Sequence, residues 1–159
     1  MSGARTKAER PGEFELIERY LAPLAAEGAF GFKDDAALLS VSPGKRLVVT
    51  QDALAAGVHF LADDPPDLIA RKALRVNLSD LAAKGALPVA FSLALGLAPD
   101  WREEWVAAFA RGLGEDCAHY RVALTGGDTF ASPGGTVISI TAWGEIDAGR
   151  YRARAGARD

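Results

Sequence analysis

Between Val89 and Leu97 the chain alternates large and small residues without a break. Val89, Phe91, Leu93, Leu95 and Leu97 are bulky and apolar, and Ala90, Ser92, Ala94 and Gly96 between them are small. A period of two is the period of a strand, because successive side chains of an extended backbone leave on opposite faces. Such a strand needs a sheet with one deeply packed face. Its small-residue face admits close approach of another surface, such as a second subunit.

The flanking segments say what packs on the bulky face. Pro66 to Ala83 reads as a long helix: Pro65 and Pro66 suit a first turn and Gly85 suits the end. Trp101 to Tyr120 reads as a second, with Trp105, Phe109, Leu113 and Cys117 at steps of four. An amphipathic helix is expected over Glu13–Ala26, with Phe14, Ile17, Leu21 and Leu24 on one side and Pro23 weakening its end. Ala37–Val41 and Arg46–Gln51 read as two short strands joined in a hairpin by Ser42-Pro43-Gly44-Lys45. Val122–Thr125 reads as a short strand ending at Gly126-Gly127-Asp128. Thr136–Trp143 reads as the last, with Ile138, Ile140 and Ala142 facing one way and Val137, Ser139, Thr141 and Trp143 the other. The order α, β, β, α, β, α, β, β predicts an α+β fold, a mixed or antiparallel sheet with helices packed on one face.

Composition narrows the function classes. A chain of 159 residues with a formal charge of −3 is one domain's worth and slightly acidic, which disfavours nucleic acid as a partner. No apolar run approaches the roughly 20 residues of a membrane span. Residues 1–11 are charged, lack the apolar stretch of a secretory signal and are expected as a disordered tail, and a cytoplasmic location follows. Residues 12–148 are expected as the domain, and residues 149–159, rich in Arg, Ala and Gly, as a linker to a further domain. Cys117, the single cysteine, reads as a small hydrophobe on its helix. No Ser/His/Asp set supports acyl transfer, and no catalytic base stands out.

Acidic residues gather where expected strands meet loops. Asp34 and Asp35 precede Ala37, Asp52 follows Gln51, and Asp128 follows the glycine pair. Asp80 lies within the helix 66–83, on a polar stripe with Asn77 and Lys84 beside the apolar stripe Leu74, Leu78 and Leu81. Carboxylates converging on one rim of a sheet repel each other unless a hard cation sits among them, and magnesium suits oxygen ligands and shares its shell with phosphates. Gly126-Gly127-Asp128-Thr129 lets backbone N–H groups approach phosphate oxygens, although no Gly-Lys-Ser/Thr follows to make a Walker A loop. The expectation is that Asp35, Asp52, Asp80 and Asp128 point to one rim.

Taken in order, these motifs resemble the thiamine-monophosphate kinases. The resemblance rests on Lys72-Ala73-Leu74-Arg75-Val76-Asn77-Leu78-Ser79-Asp80-Leu81-Ala82-Ala83-Lys84-Gly85-Ala86, on Gly12-Glu13-Phe14 and Asp34-Asp35-Ala36-Ala37, on Asp52-Ala53-Leu54 leading to Gly57-Val58-His59-Phe60, and on Gly126-Gly127-Asp128-Thr129. That family belongs to a superfamily with aminoimidazole ribonucleotide synthetase, selenophosphate synthetase and a hydrogenase maturation protein. The resemblance implies ATP as co-substrate, thiamine monophosphate as acceptor and several Mg2+ ions. It implies metal contacts at Asp35, Thr50, Gln51, Asp52, Asp80 and Asp128, ATP contacts at Gly127, Asp128 and Arg154, and a thiamine monophosphate contact at His59. It also implies a homodimer whose two sheets pair into a shared barrel. Two positions depart from the family pattern: Gln51, where Thr is usual, and Lys33, where glycine is common.

Overall fold

The computed structural model describes residues 10–156. Most of the expected tail, and the last three residues of the expected linker, lie outside the described residues. The elements run α1 (Glu13–Leu16), β1 (Lys45–Ala55), α2 (Pro66–Lys84), β2 (Leu87–Leu97), α3 (Glu103–Tyr120), β3 (Ala123–Ala131) and β4 (Val137–Asp147). The sheet has the order β1-β4-β2-β3, with β4 antiparallel to both its neighbours and β3 parallel to β2. The parallel step needs a crossover long enough to return the chain to the same end of the sheet, and α3 supplies it. An α+β fold on a four-stranded mixed sheet is therefore what the sequence forms.

The alternation along β2 works as expected. Phe91, Leu93, Leu95 and Leu97 are buried together with Ile138, Ile140 and Ala142 of β4, under α2 and α3. Ser92 and Ala94 lie on the other face, level with Thr141 and Ser139 of β4. Helix α2 begins with Pro66 at its first position and ends on Gly85 with φ 77°, a left-handed residue whose N–H bonds back to the last turn.

Four expectations change. The 13–26 segment is not one helix: α1 gives way to a π-turn over Ile17–Leu21 and a 3-10 turn at Pro23. The changed pitch buries Leu16 and Leu21 and leaves Phe14 86% exposed, so Phe14 is not on the packed side. Residues 37–41 form no strand and hence no hairpin. The Pro43-Gly44 turn is present, but β1 pairs with β4 instead, from Lys45 opposite Asp147 to Ala55 opposite Val137. Leu38, 71% exposed, has no apolar face to gain from a strand there. The glycine pair does not end β3; the strand runs through it to Ala131. Asn77 is fully buried rather than on the polar stripe: its Nδ2 donates to the Ala73 carbonyl at 3.1 Å.

One ion pair ties α2 to α3. Asp116 is 1% exposed and accepts two bonds from Arg75, from Nε at 2.7 Å and from Nη2 at 2.8 Å, with Arg71 at 3.6 Å. Asp116 is buried but its arginines reach solvent, so removing the carboxylate costs charge-assisted hydrogen bonds and strands no buried charge. Asp116→Ala is expected to lower the unfolding free energy by about 2 kcal/mol in urea titrations. A loss below about 1 kcal/mol, the worth of a surface pair, would mean that packing alone joins the helices. Next to it, burial and then the Asp116 charge push the Cys117 thiol up to about 12, so it stays protonated and behaves as the small hydrophobe expected.

Candidate functional site

Two cavities flank the sheet, and their charges are opposite. The first, about 630 Å³, lies where the N-terminal segment and the 29–39 loop meet β3. Glu13, Glu18, Asp34, Asp35 and Asp128 bring five carboxylates to it against one lysine, Lys33. The second, about 840 Å³, lies between β1, the C-terminal half of α2 and the tail. Asp80 is its one acid, and Lys84, Arg152 and Arg154 line it with Thr50 and Tyr151.

The acidic cavity is built on an irregularity of β3. Phe91 pairs with Leu124 but Ser92 pairs with Gly126, so Thr125 is an extra residue in the ladder. Thr125 meets this by donating its hydroxyl to the Phe91 carbonyl at 2.9 Å. Gly126 and Gly127 follow with φ of 151° and 154°, a region side chains rarely enter. At Gly127 a Cβ would lie 1.7 Å from the Leu93 carbonyl oxygen, so only glycine fits. The bulge sets the register that places Asp128 level with Ala94, on the sheet face away from the helices. Opposite, Phe30, Gly31 and Phe32 all carry positive φ, two of them at bulky residues, one residue before Asp34 and Asp35. Strain of this kind is held where surrounding structure over-determines it, often next to function.

At the basic cavity, Thr50 donates its hydroxyl to Asp80 at 3.0 Å. Thr50, Asp52 and Leu54 share the helix-facing side of β1, and Leu54 is in the core. Gln51 is on the opposite face, where its Nε2 donates to Ser139 Oγ at 3.2 Å. Lys84 sits over the Tyr151 ring, 5.7 Å from its centroid, which holds the tail beside α2 and puts Arg154 on the cavity wall.

The six expected metal positions thus fall into separate places. Asp35 and Asp128 share the acidic cavity, and Thr50 and Asp80 share the basic one, with Asp52 on the same face of β1. Asp52 and Asp128 are on the two edge strands and on opposite faces, so the expected single rim does not form within this chain. The reason is topological: β4 and β2 insert between β1 and β3, and strands are ~4.8 Å apart. Among the described residues no three acidic, histidine or cysteine side chains converge as a closed ion site. Magnesium does not require one, since it takes one or two carboxylates and completes its shell with water and phosphate oxygens. A cavity with five carboxylates and one lysine fits a hard cation on those terms.

Sequence reasoning placed Lys84 beside Asp80, but it missed Tyr151 and Arg152 as cavity residues and missed Glu13 and Glu18 beside Asp35. The tail carried no apolar periodicity, and only the Lys84–Tyr151 contact shows where it lies.

His59 stands apart from both cavities, on the loop after β1. Its Nδ1 accepts the Ala55 N–H at 3.1 Å, and its own N–H donates to the Ala55 carbonyl at 2.9 Å. Lys72 of α2 donates to the His59 carbonyl.

Comparison with known proteins follows this geometry. Residues 33–146 match the family described as AIR synthase related protein, N-terminal domain. A thiamine-monophosphate kinase of Caulobacter vibrioides is 45% identical over 157 residues, covering 98% of this chain and 45% of that protein. The Escherichia coli K12 thiamine-monophosphate kinase is 41% identical, covering 92% of this chain and again 45% of that protein. The chain thus spans about 45% of the length of these curated relatives. Among solved structures, thiamine-monophosphate kinase from Stenotrophomonas maltophilia K279a superposes with a TM-score of 0.71 at 43% identity, over 77% of this chain and 38% of that one. AaThiL complexed with AMPPCP and TMP superposes with a TM-score of 0.68 at 33% identity, over 92% of this chain and 45% of that one. The hydrogenase maturation protein HypE in complex with ATP shares the fold, with a TM-score of 0.77 at 21% identity, over 95% of this chain and 45% of that one.

Proposed function

The chain belongs to the family of AIR synthase related proteins, as their N-terminal domain, and from that premise we propose that it serves ATP-dependent phosphorylation of thiamine monophosphate to thiamine diphosphate. The observation that carries this reading is the acidic cavity built on Gly126-Gly127-Asp128, in a domain whose kinase relative is 45% identical over nearly the whole chain. Gly126 leaves the backbone of β3 uncovered at the point where phosphates are to approach, and Asp35 and Asp128 offer the oxygen ligands. The AaThiL complex with AMPPCP and TMP supports both substrates.

Chemically, a phosphate oxygen of thiamine monophosphate attacks the γ-phosphorus of ATP, and the bond to the β-phosphate oxygen breaks to leave ADP. The nucleophile is already anionic, so the step needs no general base. Magnesium, if bound, would supply positive charge that offsets the charge on the phosphates. Asp35 and Asp128 would hold it on one side, and Asp52, Asp80 and Thr50 on the other. Gln51 is turned to the opposite face of β1, which removes its side chain from that set. Arg154 binds nucleotide phosphates through charge, Gly127 contacts them through backbone, and His59 contacts thiamine monophosphate. A site using both acidic groups draws on more than one copy of this domain or on further chain.

The open sheet face supports the first of these. Trp143, Thr141, Ser139, Ser92 and Ala94 are half-buried on the face away from the core, and small side chains allow a second sheet to approach closely. The reading is a two-fold dimer through this face, in the cytoplasm, with the two sheets closing a barrel. Sedimentation of the 159-residue chain is expected to give a dimer at micromolar concentration; a clean monomer overturns the pairing. The kinase reading is tested by incubating ATP, Mg2+ and thiamine monophosphate with a protein that carries this domain together with the remaining length of its relatives. Thiamine diphosphate and ADP should form in equal amounts. ATP hydrolysis without thiamine diphosphate would assign the domain to another acceptor within the superfamily.

A further inference from the structure

The Gly12-Glu13-Phe14 motif opens an arm, residues 12–35, that forms a wall of the acidic cavity. Glu13, Ile17 and Glu18 of the arm line that cavity, and their neighbours Arg19 and Tyr20 do not. Those two reach the first residue of α3 instead. Tyr20 donates its hydroxyl to Glu103 Oε1 at 2.6 Å, and Arg19 Nη1 donates to the same oxygen at 2.5 Å. Leu16 and Leu21 sink into the core on either side of this contact. Further along, the Ala26 N–H donates to the Leu124 carbonyl at 2.7 Å, next to the bulge residue Thr125, and the Leu38 N–H donates to the Gly28 carbonyl at 2.9 Å. Two features work against closure. Glu13 and Glu18 share the cavity with Asp34, Asp35 and Asp128, so like charges face each other. Phe30 and Phe32 are held at φ 51° and 59°, a strained region for bulky residues. Repulsion and strain set against few anchors place the arm at the low-stability end of the domain.

We propose that Glu103 is the positioning residue of the acidic cavity: it pins the arm to the start of α3 and so holds Glu13, Glu18 and the 30–35 loop in place opposite Asp128. Glu103 does not itself line the cavity, so it acts from behind, through Tyr20 and Arg19. The consequence for nucleotide binding rests on the function proposed above; the pin does not. With the pin lost, the open arm becomes populated, and ATP with Mg2+ must close it before the cavity is complete. Apparent affinity then falls with the closed fraction, and the chemical step is left alone.

Amide hydrogen exchange of the chain, read at Ala26 and Leu38, reports the opening of the arm. Glu103→Ala should speed exchange at both by about tenfold, the scale of one charge-assisted hydrogen bond, and leave the central strand β2 unchanged. Tyr20→Phe and Arg19→Met, which alter the arm and leave α3 intact, should each speed it in the same way. Glu103→Gln, whose amide oxygen still accepts from Tyr20, should recover part of the protection. Unchanged exchange at Ala26 and Leu38 in Glu103→Ala overturns the pin. So does an effect of Glu103→Ala that persists in full when Tyr20→Phe and Arg19→Met are already present, because Glu103 then acts through α3 alone. In a protein with the remaining length of its relatives, Glu103→Ala should raise the KM for ATP about threefold at unchanged kcat, with Glu103→Gln in between. An unchanged KM overturns the positioning role. If ATP with Mg2+ does not slow exchange at Ala26 and Leu38 in the parent, the result counts against the kinase reading, and the pin, read from exchange alone, stands.

Discussion

Gly127→Ala is expected to destabilise the domain by roughly 4 kcal/mol and to lower its melting temperature by on the order of 10 °C. Two terms add. The residue sits at φ 154°, a region costly for any residue with a Cβ, and the new methyl would stand 1.7 Å from the Leu93 carbonyl oxygen and 2.6 Å from its carbon. Those atoms are backbone of the central strand β2, so they can move only by opening the β2–β3 ladder. Gly126→Ala separates the terms: its φ is 151°, but nothing lies within 4 Å of its Cβ position. It should cost only the conformational part, about 1–3 kcal/mol. Thermal unfolding of the two variants beside the parent is the measurement. Equal losses would mean that the close approach to Leu93 is not what requires glycine at position 127.

The second large effect concerns turnover. Asp80→Ala, in a protein with this domain and the remaining length of its relatives, should reduce thiamine diphosphate formation by about 10³-fold, the scale of removing one charge-stabilising group from a phosphoryl-transfer site. Stability should change little, because Asp80 is exposed. Asp80→Asn tells charge from hydrogen bonding. The amide oxygen can still accept the Thr50 hydroxyl, which the carboxylate accepts at 3.0 Å, but it brings no negative charge to a cation. If charge is the contribution, Asn is as poor as Ala. Near-normal turnover with Asn would reduce Asp80 to a partner of Thr50 and remove it from the metal set.

Local pattern determined a good deal by itself. The two-residue period of β2, the proline start and glycine stop of α2, the four-residue steps along α3 and the inward isoleucines of β4 are properties of short windows, and burial follows them closely. The motifs were legible for the same reason: Asp34-Asp35, Asp80 and Gly126-Gly127-Asp128 are words of a few residues, and two of them line one cavity. Pairing was decided elsewhere. Residues 37–41 look like a strand, but a strand needs a partner, and β4, distant in sequence, takes the place beside β1. The Gly-Gly pair looks like a turn, yet parallel pairing with β2 draws it into a strand and turns its permissiveness into a bulge. Asn77 sits in a polar stripe by spacing and in the core by packing, because α2 presses that face to the sheet. Above all, no short window can say that β4 and β2 will come between Asp52 and Asp128. Strand order is set by how the α3 crossover and the β3–β4 turn return the chain, and that order puts Asp52 and Asp128 at opposite edges of the sheet.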